Sequence, residues 1–250
     1  MRVETEGVVL RQSSPVDGRR MVVLFTKDYG KISAGTSLSD KGRNRSGLVL
    51  SPFTRSRYSL YRKRDSFSIS SGEVIRSYYS IGENIDKYMA GSYVLEFTDK
   101  VLTEGEKAPA MYNLLIDFFE ELSIRKSRYE TLVLAYQVKV IKILGLMPEL
   151  DECVCCGRRE GISSFSVKDG GILCGECLVQ NRNEGNSALI YNVSFDIVNI
   201  LKFFMKRPLS DLRKLALKGE LLNGVQDIIK SYISYHLDIN KLKSEGIKLD

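Results

Sequence analysis

All five cysteines of this 250-residue chain fall within one short stretch, CVCCGRREGISSFSVKDGGILCGEC, from Cys153 to Cys177. Cys153 and Cys156 form one C-x-x-C pair and Cys174 and Cys177 the other, with seventeen residues between. Two such pairs at this separation predict a tetrathiolate Zn2+ site, in which each pair supplies two sulfurs and the chain between them turns back as a hairpin. Four protein ligands fill the coordination sphere, so the one zinc ion is expected to be structural rather than catalytic. Gly157 and Gly175 suit the turns around the sulfurs, and the Gly170-Gly171 doublet supplies a bend before the second pair. Cys155 reads as a spare thiol, the alternative being that it replaces a neighbour as ligand. A redox C-x-x-C would need a thioredoxin-like βαβ context, which the flanking sequence lacks.

The compartment follows from the same stretch. An odd number of thiols cannot all pair within one chain, and clustered cysteines in a reducing compartment are more often metal ligands than disulfides. The amino-terminal MRVETEGVVL has no apolar signal-peptide core, and no window approaches the roughly eighteen apolar residues of a spanning helix. A cytoplasmic protein with no membrane partner is expected.

Around the cysteines the hydrophobic period changes twice. Residues 1–80 read as five short strands, EGVVLRQS, RRMVVLFT, KISAGTS, SRYSLYR and SFSISSGEVI, separated by VDG, KDYG and KRD turns. Five strands in so short a length predict a small closed barrel of the oligonucleotide/oligosaccharide-binding (OB) type, with an SH3-like barrel as the competitor that periodicity does not separate. From Ile81 the period lengthens to that of helices. A helix of about five turns carries Tyr88, Leu95, Phe97, Val101 and Leu102. The next buries Met111, Leu114, Leu115, Phe118, Phe119 and Leu122, and a third Tyr129, Leu132, Tyr136, Val140, Ile143 and Leu144. After Asn192 helical sequence resumes, with Ser194 as N-cap of a helix bearing Ile197, Ile200, Leu201 and Phe204, a shorter one at Leu212 and Leu215, and a last one with Leu221, Val225, Ile228, Ile229 and Tyr232. The fold expected is therefore α+β and multidomain: a barrel over 1–80, then an α-helical domain over 81–250 with a zinc-binding insertion at 151–180.

Charge divides along the same boundary. Residues 1–80 hold 15 Lys+Arg against 7 Asp+Glu, while the remainder holds 22 against 24. A basic barrel joined to a near-neutral domain points to a polyanion at the barrel, and without a basic amphipathic helix or lipidation signal nucleic acid is the better fit. In TRSRYSLYRKR, read as a strand, Arg55, Arg57, Tyr61 and Lys63 face one side and Tyr58 and Leu60 the other. Cations that follow phosphates beside a ring that stacks on any base suit a single strand; the plainer reading is a solvated face whose charges block edge pairing. SDKGRNRSG adds Lys41, Arg43 and Arg45 on a loop free of apolar residues; such a loop could also be a solubilising connector, but DNA contact is the favoured reading.

Three separated stretches together resemble RecO, the bacterial recombination and DNA-repair mediator family. EGVVL, LFTKDYGKISAGTSLSDKGRNRSG and LSPFTRSRYSLYRKR look like its barrel; CVCCG, FSVKDGG and CGEC look like its zinc segment; and LKS at Leu242–Ser244 is similar to its carboxyl-terminal motif. The resemblance implies a protein without catalytic chemistry that binds single- and double-stranded DNA, anneals complementary strands, and works with RecR to load RecA onto strands coated by single-stranded-DNA-binding protein (SSB). It also implies a place on the nucleoid and a contact with the acidic, apolar SSB tail. For that tail Phe203 and Phe204 beside Lys202, Lys206 and Arg207 are a candidate groove, although the same residues read as core plus a solvated helix end.

Other functions find little support. His236, the only histidine, follows Val225, Ile229 and Tyr232 on one helical face and reads as packing. No G-x-x-x-x-G-K-[ST] loop is present, so ATP use is not expected. Two further classes stay open on sequence: a zinc-stabilised scaffold whose barrel binds an acidic protein, and a nucleic-acid hydrolase built from scattered carboxylates.

Overall fold

The computed structural model describes residues 1–13, 20–36, 38, 46–64, 66–183 and 189–246. Two compact units account for them, one formed by Met1–Tyr129 with Leu242–Asp250 and the other by Glu130–Lys241.

In the first unit five strands close a barrel: β1 (Arg2–Gln12), β2 (Arg20–Thr26), β3 (Gly30–Thr36), β4 (Thr54–Lys63) and β5 (Ser66–Ser77). Their order around the wall is β1-β2-β3-β5-β4, with β4 returning to β1. Every pairing is antiparallel except β3 with β5, where Ala34 lies opposite Phe67. This topology is that of an OB fold, and it decides between the two barrels that the strand pattern left open. Closure needs strongly bent strands, and β-bulges between Val9 and Arg11 on β1 and at two places along β4–β5 supply the bending.

Alternation sets the core. Val9, Val22, Leu24, Ile32, Ala34, Tyr58, Leu60 and Ile69 point inward and are buried together with Val49 and Leu50. The last two come from and follow a single helical turn, α1 (Ser46–Val49), packed on β4 and β5. The buried Val49 carbonyl accepts hydrogen bonds from Tyr58 Oη at 2.7 Å and Ser56 Oγ at 3.3 Å, so α1 is tied to the wall by polar as well as apolar contact. Gly72 on β5 makes that approach possible, because a Cβ there would meet Val49 Cγ1 at 2.4 Å.

After a 3-10 turn at Tyr79–Ile81 the unit continues in α2 (Ile85–Val101) and α3 (Pro109–Ile124). Asn84 caps α2 by accepting from the Lys87 amide, and Pro109 occupies the first turn of α3, where its missing N–H costs nothing. All six apolar residues predicted for the α3 stripe are buried. Phe119 of α3 meets Phe53 and Tyr78 edge-on or tilted, at 5.7 and 5.5 Å between centroids. On α2, by contrast, Tyr88 stays 44% exposed, with its ring edge-on to Phe53 at 5.7 Å.

The carboxyl-terminal segment also belongs to this unit. Leu242 is buried, and the Glu96 carboxylate of α2 accepts from the Lys243 amide (2.8 Å), the Ser244 amide (2.9 Å) and Ser244 Oγ (2.8 Å). Those hydrogen bonds hold the Glu96 carboxyl below the usual range, although burial works in the opposite direction.

The second unit takes in α4 (Tyr129–Ile143) from Glu130 onward, the sheet strands β6 (Ile162–Ser166), β7 (Gly171–Cys174) and β8 (Ile190–Asn192), and the helices α5 (Gly175–Asn183), α6 (Phe195–Lys206) and α7 (Gly219–Leu237), with a 3-10 segment at Leu209–Lys214. The sheet order is β7-β6-β8, antiparallel throughout. Ser194 caps α6 by accepting from the Ile197 amide at 3.4 Å. On α4 the expected apolar stripe frays at its end, since Ile143 and Leu144 are exposed where the helix stops. His236 of α7 donates from Nε2 to the Val167 carbonyl at 2.8 Å, and its ring lies 4.1 Å from that of Tyr232. Among the described residues no helix is long and apolar enough to cross a membrane.

Candidate metal centre and nucleic-acid face

The hairpin β6–β7 brings the two cysteine pairs together. Cys153 and Cys156 lie on the turn that precedes it, where Gly157 N donates to the Cys153 carbonyl at 2.8 Å and Gly157 takes a left-handed φ of 71°. Cys174 ends β7 and Cys177 lies in the first turn of α5. Gly170 supplies the left-handed residue of the β6–β7 turn at φ 72°, and a Cβ on Gly171 would meet the Glu149 carbonyl at 2.7 Å. Gly175 instead opens α5 without a positive φ.

The Sγ atoms of Cys153, Cys156, Cys174 and Cys177 all lie within 4.8 Å of one another. Cys156 and Cys174 are 3.7 Å apart, close to the sulfur–sulfur edge of about 3.8 Å that tetrahedral bonds of about 2.3 Å require. The Cys174 amide points at Cys153 Sγ at 3.4 Å. Burial disfavours the Cys153 thiolate, yet the amides of Cys174, Cys156 and Cys155 outweigh it and bring the thiol down to about 6. Burial, with the neighbouring thiols, pushes Cys177 up. These four residues can hold a metal ion; Cys155 is exposed and stands outside the group.

On the barrel, β4 presents its charged side outward as alternation predicts. Thr54, Ser56, Tyr58 and Leu60 are buried, while Arg57, Tyr61 and Lys63 are exposed and Arg55 is half-buried. The four predicted residues thus share one face of one strand but not one environment. Arg55 is held by Glu6 of β1, whose Oε2 accepts from Nε at 3.1 Å and from NH2 at 2.5 Å. Arg57 NH2 lies 3.9 Å from the other oxygen of the same carboxylate. Tyr61 is 55% exposed, with its ring available at the surface. Lys41, Arg43 and Arg45 lie outside the described residues.

Sequence reasoning missed three cations at the end of this face. Arg2 lies opposite Tyr61 in the β1–β4 register, and exposed Arg62 sits over the Phe67 ring at 5.6 Å. Arg64, with φ 53°, turns the chain into β5. Alternation places Arg62 on the inward side, but at the mouth of a barrel there is no interior left for it to enter. Arg2 depends on which strand neighbours β4, which no local pattern reveals. Among the described residues none of Arg2, Arg62, Lys63 and Arg64 has an acidic partner within 4 Å, so the β4–β5 connection is the basic end of the barrel.

The groove envisaged on α6 is built differently. Phe204 is fully buried and Phe203 half-buried, as a core position and its neighbour would be. On another side of α6, Leu150, Ile162, Phe195, Val198 and Lys202 line a groove of about 290 Å³, with Lys202 bound to Asp151 at 2.8 Å.

Two family models divide the chain between them: Recombination protein O N terminal matches residues 1–78 and Recombination protein O C terminal matches residues 82–246. The chain belongs to the RecO family. Similar relatives span it from end to end. The DNA repair protein RecO of Thermoanaerobacter sp. (strain X514) is 28% identical over 95% of this chain and 93% of its own length. Those of Alkaliphilus metalliredigens and Caldanaerobacter subterraneus are 28% and 27% identical, over 95% and 99% of this chain and 95% and 98% of their own. RecO membership agrees with the OB barrel, the helices that follow it and the four-cysteine cluster.

Proposed function

We propose that this protein is a DNA-binding mediator of recombination and repair that acts on the nucleoid in the cytoplasm. It anneals complementary single strands and, together with RecR, helps RecA replace SSB on single-stranded DNA. The barrel, residues 1–80, is the DNA-binding domain; the helical part, residues 81–250, is divided between the two compact units and carries the zinc insertion at 151–180.

The observation that carries the reading is the outer face of β4. Arg57 and Lys63 flank the exposed Tyr61, and Arg2, Arg62 and Arg64 extend the charge toward the β4–β5 connection. In OB folds that connection is one of the loops that grip oligonucleotides. Cations track the phosphates without regard to sequence, and a ring stacks on any base, which is what annealing of arbitrary strands demands. Lys41, Arg43 and Arg45, outside the described residues, are proposed as further phosphate contacts on the strength of their charge alone. The work done is exchange of binding partners, with no bond made or broken.

Zinc is the metal proposed for the four thiols, because soft sulfur donors in a tetrahedral array select it and leave no open position. When bound it supplies cross-linking, with Cys153, Cys156, Cys174 and Cys177 tying the turn before β6 to the start of α5. RecR, the SSB tail and double-stranded DNA are partners by family kinship.

The test is a fluorescence assay with complementary strands labelled at their ends. Duplex formation faster than the spontaneous rate, with both strands intact on a denaturing gel, is the expected result. Cleaved strands would make the protein a hydrolase, and no binding to either strand would leave the barrel as a docking surface for an acidic protein.

A further inference from the structure

The Glu6 carboxylate faces two of the arginines on the basic side of β4. Glu6 stands on β1 directly opposite Arg57 in register, with Arg55 paired to Val8 two positions along. Its backbone is fixed by the Lys27 amide, which donates to the Glu6 carbonyl at 2.9 Å. One carboxylate oxygen takes both Nε and NH2 of Arg55, and the other lies 3.9 Å from Arg57. The Glu6 side chain is only 23% exposed, so the pair is partly shielded from solvent and salt. Two of the four β4 residues that sequence assigns to DNA are therefore already facing an anion, whereas among the described residues the cations at the β4–β5 connection have none within 4 Å.

We propose that Glu6 is a built-in competitor for the DNA backbone. This rests on the reading of the β4 face as the DNA surface. A strand is held first at the Arg2, Arg62, Lys63 and Arg64 end, and it reaches Arg55 and Arg57 only by displacing the Glu6 carboxylate. Arginine binds carboxylate and phosphate oxygens through the same N–H groups, so the exchange needs a side-chain rotation and no change of fold. The consequence is a graded grip. Glu6 reclaims the guanidinium groups as the phosphate leaves, so the strand can be handed on rather than retained.

The test is the salt dependence of affinity for an oligothymidylate in the full-length protein. Freed of Glu6, one or two more cations neutralise phosphates, so Glu6→Gln should steepen the slope of log K against log salt by about 0.7 to 1.4. The ratio of variant to wild-type affinity should then grow by about threefold to sevenfold as salt falls from about 0.2 to about 0.05 M. Glu4→Gln, which removes a charge facing Ser59 Oγ rather than an arginine, should give less than half that change. Adding Arg55→Gln to Glu6→Gln should take back about 0.7 of that gain, one phosphate contact. Should Glu6→Gln fail to fold, Glu6→Asp keeps the charge but draws it back by one methylene, and should steepen the slope in the same direction. An unchanged or shallower slope, or an equal effect from Glu4→Gln, overturns the proposal. Arg62→Ala with Lys63→Ala, measured alongside, separates the two failures. If that pair flattens the slope while Glu6 variants do nothing, the DNA face stands and the competitor falls; if it has no effect, the DNA face falls as well.

Discussion

Inside the barrel ten buried side chains meet, all of them apolar or aromatic, and five strands close around them. In the cysteine module the corresponding cluster has four buried residues, of which three are Cys153, Cys174 and Cys177 and only Leu173 is a hydrocarbon. A small segment cannot remove enough apolar surface from water to offset its chain entropy, and metal–thiolate bonds at its four cysteines would supply that missing term. The barrel's interior is thus self-sufficient, which leaves its outside free to carry charge. The module spends its special chemistry on staying folded.

The largest effect that would break this contrast lies in the module. Cys174→Ser should abolish stoichiometric zinc and unfold the β6–β7 hairpin, lowering the thermal transition and the metal content together, whereas Cys155→Ser should change neither. Metal analysis by mass spectrometry and a melting curve on the same sample check this; a Cys174→Ser protein with a full complement of zinc would contradict it. In the barrel, by comparison, no single residue is indispensable in that way. Leu60→Ala should cost about 2 to 5 kcal/mol by cavity formation and leave zinc content untouched, as chemical denaturation and metal analysis would show. On the barrel's surface, Tyr61→Ala should weaken single-strand binding by about 1 to 3 kcal/mol if a base stacks there, while leaving stability and the salt slope nearly unchanged.

The strap at the carboxyl end gives the smallest effect. Because Glu96 is held below the ordinary carboxyl value of 4.5, its contribution is complete above that value and is lost as pH falls through the folded value. Protection of the Lys243 and Ser244 amides in hydrogen exchange should therefore decline in acid, and Glu96→Gln should lower it at neutral pH. Protection that persisted at low pH in the wild type would contradict the role given to the carboxylate.

The two regions also differ in how far they could be read from residues alone. The four ligands were legible because C-x-x-C spacing is local and metal chemistry admits few alternatives. The five strands were legible because alternation and turn residues are local too, but whether the barrel was OB or SH3-like rested on the parallel pairing of β3 with β5, a contact across 33 positions that no pattern encodes. The same limit hid α5 and the three-residue β8, which take their conformation from the hairpin beside them. Arg55 illustrates it at the level of a single side chain. Its outward direction followed from the period of two, but its engagement by Glu6 depends on β1 being the neighbour of β4. Arg2 escaped notice for that reason, and Arg62 because the rule of alternation ends where the barrel does.

The proposed DNA surface is the charge on the β4 face, in particular at its β4–β5 end, acting through the phosphates. The most direct measurement is the salt dependence of single-strand affinity for the wild type and for Arg2→Ala/Arg62→Ala/Lys63→Ala, with circular dichroism to establish that both are folded. Three lost phosphate contacts should flatten the slope by about 2 and weaken binding to every sequence alike. A folded triple variant with the wild-type affinity and slope would contradict the claim and move the DNA surface off this strand.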